Sequence, residues 1–552
     1  MPADGHVLSS TAKTGHNLAR LAEAAFGRLG DHESLIFEGA HYRSGKLFDR
    51  ARRLAAGMSG IGIAPGDRVV VLMANCPEVP VAYNAIWRAG AVVTPVVFLV
   101  TPAELTHILA DSGATAVITT PELLATVTAA AGGAPLLQHL IVAGGGPPAD
   151  LPAHVRAVDF AELESAPPGE IIGRGDDDMA ALMYTGGTTG RSKGVMLTHR
   201  NLYRCAESSH ESSQAPGITR SLVPLPLSHA YGMIVTLVGF HAAEPGLAVL
   251  QRWFDPAEWL ALAQQYRVQR TAVVPAMLQM LLAQPLEDAD LSALVYVNSG
   301  AAPLAAETRE QWQRRVPGCQ VLEGYGCTES GAVISTSPPG AYRPGSVGLP
   351  IPGYEVAIRD DDERDLPTGS DGEICVRSEG VMTGYWNSPA ETAQALRGGW
   401  LHTGDIGHLD SGGYLYVVDR KKDLILRGGF NVFPRDVEDV LVQHPAVAMA
   451  GVVGRPDPRL GEEVVAFVSL RPDATVRPAE LTAFARERLA AHKYPREVRI
   501  LDALPLTSVG KLDRKALRAR VPEAGPDAAA DPDAAAGPDA AAGAEPDGGS
   551  RG

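Results

Sequence analysis

The first part of the chain alternates between segments whose apolar residues have helical spacing and short, continuously apolar runs. Residues 17–29 place Leu, Ala and Phe side chains on one face of a helix, and residues 78–89 also have helical spacing. The apolar runs at residues 69–73, 91–97 and 114–120 are typical of buried strands. Because strands that alternate with helices indicate βαβ units, the pattern predicts a parallel sheet covered by helices.

After about residue 340 the pattern changes to short strands separated by Gly- and Asp-rich turns, and from about residue 421 it predicts a further α+β unit of about a hundred residues. The predicted elements are hairpins at residues 354–378 and 406–420, a helix at 434–443, strands at 450–454 and 463–470, a helix at 478–491 and a closing strand within 498–511. The segment from residue 522 onward repeats Pro, Asp, Ala and Gly, which cannot bury a core, so we expect disorder there.

The composition narrows the class of protein. The chain has 552 residues, 45% of them hydrophobic and 20% charged, and a formal net charge of -16, which argues against nucleic acid as a partner. The five cysteines are scattered without C-x-x-C spacing, which disfavours a zinc site and fits a reducing compartment. No apolar stretch approaches the roughly 20 residues of a spanning helix. We therefore expect a cytoplasmic protein without an integral membrane segment.

A glycine- and threonine-rich stretch, MYTGGTTGRSKGV at residues 183–195, is the strongest local signal of chemistry. Glycines allow backbone N–H groups to point at an anion, and threonine hydroxyls and Lys193 add donors and charge. The P-loop of kinases and GTPases has its lysine directly after the last glycine, whereas here Gly190 is followed by Arg191 and Ser192. The stretch alone therefore leaves two interpretations open, an ordinary surface turn and a phosphate-binding loop of another family.

Four further stretches favour the second interpretation. They are EGYGCTES at residues 323–330, GWLHTGD at 399–405, YLYVVDRKKDLILRGGFNVFPRDVED at 414–439 and LPLTSVGKLDR at 504–514. Together with the glycine-rich stretch, and in this order, they resemble the acyl-adenylate-forming superfamily of acyl-CoA synthetases, luciferases and peptide-synthetase adenylation domains. The resemblance extends from about Leu18 to Val521.

The resemblance implies an α/β fold with two catalytic domains and a two-step reaction. We expect a large N-terminal adenylation domain at residues 1–419, built from layered βαβ sheets with a small β-rich part, a mobile α+β lid domain at 420–521 and a disordered tail at 522–552. In the family, a carboxylate reacts with ATP to give acyl-AMP and pyrophosphate, and the acyl group then passes to a thiol. The expected co-substrates are ATP and CoA, with Mg²⁺ as the cofactor.

The resemblance also assigns roles to individual residues, all of them in the quoted motifs or near them. The ATP phosphates are assigned to Thr185, Gly186, Gly187, Thr188, Thr189, Gly190 and Lys193, and the metal to Thr185 and Glu329. Adenine, the ribose and AMP are assigned to Gly300, Ala301, Glu323, Gly324, Tyr325, Thr328, Asp405 and Arg420. Lys511 is the expected catalytic lysine, His229 lies beside the carboxylate, Lys422 is the hinge, and Gly428 and Gly429 line the CoA tunnel.

Physical chemistry supports several of these assignments. Carboxylates are suitable ligands for Mg²⁺ and acceptors for ribose hydroxyls, and a cation offsets the repulsion between a carboxylate and the α-phosphate. Taken alone, Glu329 also fits an acidic residue at a helix start, Asp405 a turn, and Lys511 a solvated charge. Two residues depart from the family pattern, Ser228 at a usually aromatic position and Ser192 at a usual proline.

The substrate is the least determined part of the prediction. The segment 225–250 is apolar, and no Arg or Lys lies between Ser221 and Gln251 to bind a second carboxylate. This favours an apolar monocarboxylic acid, with a medium- or long-chain fatty acid first and an aryl or alicyclic acid second. A free-standing carrier protein is the alternative acceptor to CoA, and a non-catalytic nucleotide-binding protein is the alternative from another class.

Overall fold

The structure is a computed structural model that describes residues 15–146, 148, 150–185, 192–213, 215–506 and 512–521. The described chain divides into two units by its internal contacts. The first contains the described residues up to Lys421 together with Leu506, and the second contains Lys422–Pro505 and residues 512–521. The division after Lys421 lies two residues beyond the domain end expected from the sequence.

The first unit holds most of the strands and helices of the protein. Its strands are β1 (Glu33–Phe37), β2 (Ala40–Arg43), β3 (Arg68–Leu72), β4 (Val92–Pro95), β5 (Ala116–Thr119), β6 (His139–Val142), β7 (Arg156–Asp159), β8 (Met179–Thr185), β9 (Lys193–Thr198), β10 (Arg220–Val223), β11 (Leu247–Leu250), β12 (Arg270–Val273), β13 (Tyr296–Ser299), β14 (Gln320–Tyr325), β15 (Ser335–Thr336), β16 (Leu349–Pro350), β17 (Glu355–Arg359), β18 (Gly372–Arg377), β19 (Gly384–Tyr385), β20 (Leu401–Leu409) and β21 (Leu415–Arg420). Its α-helices are α1 (Leu18–Leu29), α2 (Ser44–Gly60), α3 (Glu78–Arg88), α4 (Pro102–Ser112), α5 (Leu124–Ala131), α6 (Phe160–Glu164), α7 (His199–Ser212), α8 (Ala230–Val238), α9 (Pro256–Gln265), α10 (Pro275–Leu282), α11 (Ala306–Arg315) and α12 (Pro389–Ala395). Short 3₁₀ helices lie at Pro121–Leu123, Gly239–His241, Leu286–Asp288, Thr328–Ser330, Arg397–Gly399 and Lys421–Asp423, the last of which crosses into the second unit.

Two large sheets, which are parallel except at their edges, form the body of the first unit. One has eight strands in the order β19-β9-β8-β4-β3-β5-β6-β7, and the other has nine in the order β16-β15-β14-β13-β12-β10-β11-β1-β2. In the eight-stranded sheet, β4, β3, β5, β6 and β7 are parallel and β8 joins β4 in the same sense, while β9 and β19 are antiparallel. The predicted α/β fold of layered βαβ sheets is confirmed.

The side chains of successive residues in β3 explain why this strand is continuously apolar. Val69 and Val71 belong to the main core, which also contains residues of the nine-stranded sheet, whereas Val70 and Leu72 pack in a second core with helices α4 and α5. Because neighbouring residues of a strand point to opposite faces, both faces of this sheet are buried. Each such fully buried aliphatic side chain contributes about 1.5–3 kcal/mol relative to an exposed one.

Side-chain hydrogen bonds mark the starts of two helices in the first unit. Asn17 caps α1, since its side-chain oxygen accepts hydrogen bonds from the backbone N–H groups of Ala19 and Arg20. Helix α4 begins with a capping box in which Thr101 and Glu104 satisfy each other's backbone N–H groups. Neither helix could cross a membrane, and across the described ranges no other helix is long and apolar enough to do so.

A third, smaller sheet completes the first unit. Its four strands follow the order β17-β18-β20-β21 and are all antiparallel. The two hairpins predicted from the Gly- and Asp-rich turns are therefore confirmed. Strand β20 brings Asp405 directly opposite Arg420 of β21, which places two of the expected site residues side by side.

The second unit is an α+β fold around a five-stranded sheet. Its strands are β22 (Ile425–Arg427), β23 (Phe430–Val432), β24 (Val447–Asp457), β25 (Gly461–Leu470) and β26 (Glu497–Leu501), and its helices are α13 (Pro434–Val442), α14 (Pro478–Arg486) and α15 (Arg514–Arg518). Val437 and Leu481 pack with Ala466 on one face of the sheet, while Leu517 packs with Phe467 on the other.

One predicted helix in this unit is too long. The apolar spacing predicted a helix over residues 478–491, whereas α14 ends at Arg486. Both Arg488 and Leu489 donate their backbone N–H groups to the carbonyl oxygen of Ala485, so the chain tightens into a turn instead of continuing. No Gly or Pro occurs at residues 486–491, so no residue type marks this helix end in the sequence.

Candidate active site

The expected nucleotide residues of the nine-stranded sheet lie at the carboxyl ends of neighbouring strands. Gly300 follows β13, and Gly324 and Tyr325 end β14, which is paired with β13 in parallel register. Open α/β sheets bind ligands outside the carboxyl ends of their strands. A side chain at Gly300 would be 3.2 Å from a ring carbon of Tyr231 and 3.4 Å from the carbonyl oxygen of Gly324, so glycine permits a close approach there.

Asp405 is the most fully engaged of the expected polar residues. Its side chain is nearly buried, and it accepts a hydrogen bond at Oδ2 from the Tyr325 hydroxyl at 2.7 Å. The Nε atom of Arg420 lies 3.0 Å from its Oδ1. The structure thus brings together Tyr325, Asp405 and Arg420, which come from three different sequence motifs and two different sheets.

The hydroxyl of Tyr325 is held in its protonated form. Burial raises the pKa of this phenol well above its usual value, and the charge of Asp405 raises it further. The hydroxyl therefore remains a donor to Asp405 at neutral pH. Each carboxylate oxygen has two lone pairs, so Asp405 retains the capacity to accept further hydrogen bonds from a ligand.

Glu323 has a partner that the sequence analysis missed. Its carboxylate forms a buried ion pair with Arg309 of α11. The Arg309 guanidinium also donates to the carbonyl oxygen of Val321 at 2.7 Å and lies 3.8 Å from the ring centroid of Tyr342. Arg309 therefore anchors β14 through Glu323, and only this pairing, not any motif, identifies it.

Glu329 lies in the short 3₁₀ helix Thr328–Ser330, together with the expected nucleotide residue Thr328. Gly331 ends this helix in a left-handed conformation with φ of 82°. The hydroxyl of Tyr385 donates to Glu329 Oε1 at 2.9 Å. Burial raises the pKa of Tyr385, and the Glu329 charge raises it further, so this hydroxyl too is a stable donor.

Lys193 begins β9 and lies opposite Thr185, the last residue of β8, so two expected phosphate ligands are neighbours across this strand pair. Its Nζ atom is 2.5 Å from Glu391 Oε1 and 5.4 Å from the ring centroid of Tyr385. Tyr385 and Glu391 were not predicted from the sequence. Gly186, Gly187, Thr188, Thr189 and Gly190, as well as Lys511, lie outside the described residues.

His229 is the residue that begins α8. Its Nδ1 atom accepts a hydrogen bond from the backbone N–H of Tyr231 at 3.2 Å. In a neutral imidazole that accepts at Nδ1, the proton lies on Nε2, which is therefore a donor. Ala301, another expected site residue, has φ of 67°, a left-handed conformation that alanine rarely adopts and that stores strain beside the site.

The expected hinge and tunnel residues belong to the second unit. Lys422 lies in the 3₁₀ helix that follows β21. Gly428 and Gly429, with φ of 58° and 82°, form the two-residue turn between β22 and β23, in which Arg427 pairs with Phe430. Such a turn requires positive φ at both positions, so the turn by itself accounts for two glycines.

The described residues were also compared with the ligand sets that hold metal ions in proteins. Within the described ranges, no group of three or more His, Cys, Asp or Glu side chains is arranged to hold a metal ion. The metal role of Thr185 and Glu329 therefore stays a prediction.

Comparisons with known proteins extend over nearly the whole chain. The family described as AMP-binding enzyme matches residues 22–386, and the family described as AMP-binding enzyme C-terminal domain matches residues 436–511. A feruloyl-CoA synthase of Amycolatopsis sp is 37% identical over 502 residues, which cover 89% of this chain and 97% of that protein. A long-chain-fatty-acid–CoA ligase of Escherichia coli is 33% identical over 538 residues, which cover 91% of this chain and 94% of that one.

A solved structure agrees with these relatives. The anthranilate CoA ligase AuaEII in complex with anthranoyl-AMP superposes with a TM-score of 0.84 at 26% identity, covering 91% of this chain and 97% of that one. These findings confirm the superfamily and the class of enzyme, an AMP-forming acyl-CoA synthetase, that the motifs predict. The chain belongs to the AMP-binding enzymes, the acyl-adenylate-forming superfamily.

Proposed function

We propose that this protein condenses a carboxylic acid with ATP to give acyl-AMP and pyrophosphate, and then transfers the acyl group to the thiol of CoA. The observation that carries this proposal is the contact of Tyr325, Asp405 and Arg420 at the carboxyl end of β14. It supplies a flat ring, a carboxylate and a cation within one small volume. AMP presents a base, two vicinal hydroxyls and an anion, which match these groups in kind.

In the proposed reaction, Asp405 accepts hydrogen bonds from the ribose hydroxyls while Tyr325 and Arg420 hold its carboxylate in place. Lys193 exchanges Glu391 for a phosphate oxygen of the leaving pyrophosphate. Glu391 is only partly buried, so its pairing with Lys193 is weak enough to give way. The backbone of the glycine-rich stretch assists at the phosphates, as the family resemblance implies.

Glu329 and Thr185 fit Mg²⁺ by the chemistry of their donors. Mg²⁺ is usually held by one or two carboxylates together with substrate phosphates and water. Glu329 offers a carboxylate that Tyr385 orients, and Thr185 offers a hydroxyl beside Lys193. When bound, the ion would neutralise phosphate charge and favour departure of pyrophosphate.

The acid and the α-phosphate are both anions, so their approach needs positive charge and hydrogen-bond donors. Nε2 of His229 is a donor at the start of α8, where it can bind the substrate carboxylate. We assign Lys511 the role of offsetting the charge that develops at the α-phosphate. The carboxylate oxygen then bonds to phosphorus as the bond to pyrophosphate breaks.

The second step requires the thiol to reach the acyl carbon, and we propose that the chain rotates at Lys422 between the steps. The residues on either side of Lys422 are held within their own units. In the first unit, the Nζ atom of Lys421 lies 2.7 Å from Asp361 Oδ1 and 3.3 Å from Glu373 Oε2. In the second unit, Asp423 Oδ1 lies 2.6 Å from the Nη2 atom of Arg518. A backbone change is therefore confined to the residue between them.

CoA is the proposed acceptor, and a carrier protein is the alternative. The relatives named CoA ligase or CoA synthase support CoA. The same names offer two classes of acid, a feruloyl group and a long-chain fatty acid. The proposed location is the cytoplasm, in line with the scattered cysteines.

An exchange assay between radioactive pyrophosphate and ATP tests this proposal. We expect exchange that depends on a carboxylic acid and does not require CoA, because acyl-AMP forms before the thiol acts. Lys511→Ala should lower exchange about a hundredfold or more. The matched control is Lys515→Ala in helix α15. The proposal would be contradicted if none of the acids in a panel of fatty, aryl and alicyclic acids supported pyrophosphate exchange.

A further inference from the structure

One face of the nine-stranded sheet carries polar side chains where an apolar acyl group would be expected to lie. Val273 and Val297 point into the core that contains helices α9 to α11. Since side chains alternate along a strand, their neighbours Ala272, Tyr296 and Asn298 point to the opposite face. Gly300, which continues the same alternation, meets Tyr231 of α8 there.

Three polar residues lie side by side on this face, and we call them the polar row. Ser221 pairs with Arg270, and Arg270 pairs with Tyr296, on adjacent parallel strands. The Arg270 Nε atom donates to Ser221 Oγ at 3.0 Å, and its Nη1 atom lies 3.4 Å from the Tyr296 hydroxyl. The polar row thus crosses β10, β12 and β13.

The charge environment of Arg270 is the next feature of this face. In the part of the chain that the structure describes, no carboxylate lies within ion-pair distance of its guanidinium, although the residue is only partly exposed. The nearby His210 cannot supply a counter-charge, because a protonated imidazole is itself a cation; burial lowers its pKa, and the Arg270 cation lowers it further. A partly desolvated cation without a counter-charge is stabilised by any ligand oxygen that approaches it.

The side-chain oxygen of Asn298 is a second polar group on the same face that is available to bind a ligand. Its Oδ1 atom is buried and has no hydrogen-bond partner among the described residues. Asn298 lies two residues before Gly300 on β13, about 6–7 Å along the strand, and Tyr296 lies about 13 Å away. An acid whose carboxylate is near Gly300 and His229 would therefore extend past Asn298 towards the polar row.

Different acids meet this face in different ways. The methylene groups of a fatty acid would cover the amide of Asn298 and the guanidinium of Arg270 without bonding to either. The Asn298 oxygen would then stay without a hydrogen bond, and the Arg270 charge would be further desolvated. An aromatic ring fills the space beside Tyr231, and a hydroxyl on its far side can donate to Asn298 and accept from Arg270. The apolar segment 225–250 does not reveal this difference, because Arg270 and Asn298 lie outside it.

Resting on the proposed function, we propose that the substrate is an aryl acid with a ring hydroxyl remote from its carboxylate, and that Asn298 and Arg270 select it. The carboxylate lies at the carboxyl ends of the strands, the ring packs against Tyr231, and the hydroxyl lies between Asn298 and the polar row. The side chain linking ring and carboxylate is of the length found in phenylpropenoic acids, since a benzoic acid would stop near Asn298.

The first test compares 4-hydroxycinnamic acid, cinnamic acid and octanoic acid as substrates of the full-length protein in the exchange assay. We expect kcat/KM to be higher for the hydroxylated acid by about tenfold or more, because a site built to bond a hydroxyl rejects the analogue without it. Equal values for the two aryl acids, or a preference for octanoic acid, would overturn this inference while leaving the proposed function intact. If no acid supported exchange, both this inference and the proposed function would be overturned.

The second test uses variants that remove one donor or acceptor each. In Arg270→Met and in Asn298→Leu, kcat/KM for 4-hydroxycinnamic acid should fall at least about tenfold more than for cinnamic acid, because only the former loses a bond. Arg270→Lys, which keeps the charge, should recover part of the preference. Arg220→Met on the neighbouring end of β10 is the matched control and should leave the preference unchanged. Equal losses for both acids in Arg270→Met and Asn298→Leu would assign these residues a purely structural role and overturn the inference.

Discussion

The carboxyl edge of the nine-stranded sheet and the face beside α8 differ in whether their polar groups have protein partners. At the edge, the expected charged groups already have protein partners, since Asp405 has Arg420 and Tyr325, and Glu329 has Tyr385. Lys193 of the eight-stranded sheet, beside the Tyr385 ring, likewise pairs with Glu391. On the face, within the described ranges, Arg270 has no carboxylate partner and Asn298 Oδ1 has no hydrogen bond. The edge is therefore ordered before a ligand arrives, whereas the face is completed by one.

This difference separates the chemistry from the choice of acid. Groups held by protein partners keep their orientation whichever acid is bound, so a change at the edge should affect all acids alike. Groups that wait for the substrate gain their partners from one class of acid only, so a change on the face should affect acids unequally. The variants below test this separation.

The largest effect should come from a hinge variant that forms acyl-AMP at the carboxyl edge but cannot transfer the acyl group to the thiol. In Lys422→Pro, proline fixes φ at the hinge, so we expect acyl-AMP to form at a near wild-type rate while the rate of thioester formation falls about a hundredfold or more. Lys422→Ala removes the same charge but keeps the backbone free, and it should make thioester normally. The measurement is pyrophosphate release in a single turnover beside thioester yield with CoA. Equal loss in both assays for Lys422→Pro would refute the hinge.

Asp405→Asn should damage the edge for every acid. The substitution removes the carboxylate that Tyr325 and Arg420 hold, and with it the negative charge beside Arg420. It should lower kcat/KM for ATP about thirtyfold to a hundredfold, equivalent to about 2–3 kcal/mol. Asp410→Asn, which breaks an exposed ion pair with Arg343 in the same region, is the control. An effect that differed between cinnamic and 4-hydroxycinnamic acid would show that the edge also selects the acid.

A smaller effect should follow from Tyr385→Phe. The ring remains beside Lys193, but Glu329 loses one hydrogen bond, which contributes about 1 kcal/mol. We expect the Mg²⁺ concentration for half-maximal exchange to rise about fivefold, because the carboxylate is less well oriented. Titration with Mg²⁺ at saturating ATP measures this shift. An unchanged titration would mean that Tyr385 does not orient a metal ligand.

The smallest effect, and the only gain, is expected for Glu391→Gln. In this variant, Lys193 no longer has to break an ion pair before it binds a phosphate. ATP should therefore bind about two- to fivefold more tightly, since a partly exposed ion pair contributes a free energy of that size. Glu355→Gln, which removes an exposed pair with Arg377, serves as the control. Weaker ATP binding in Glu391→Gln would indicate that Glu391 positions Lys193 for the phosphate.

The sequence predicted the edge better than the face for a physical reason. Tyr325, Glu329 and Asp405 lie within short contiguous motifs whose local chemistry is readable residue by residue. The partners of Glu323, Glu329 and Lys193 come from other elements and are placed only by the fold; they are Arg309, Tyr385 and Glu391.

The polar residues on the face beside α8 do not belong to any of the sequence motifs. Ser221, Arg270 and Tyr296 become neighbours solely through the parallel register of β10, β12 and β13. Arg270 lies outside the segment from Ser221 to Gln251, so the lack of Arg and Lys in that segment does not describe the acid-binding face. The predicted end of α14 was wrong for a related reason, since its termination depends on a turn that no Gly or Pro marks.

All the roles assigned at the carboxyl edge require that the acid itself attacks the α-phosphorus of ATP. A carboxylic acid labelled with a heavy isotope of oxygen in its carboxylate tests this directly, in one turnover with ATP and CoA. Attack at the α-phosphorus predicts that one labelled oxygen ends in AMP, because AMP leaves with the oxygen that bonded to phosphorus. Label in inorganic phosphate, with ADP as the nucleotide product, would contradict the account.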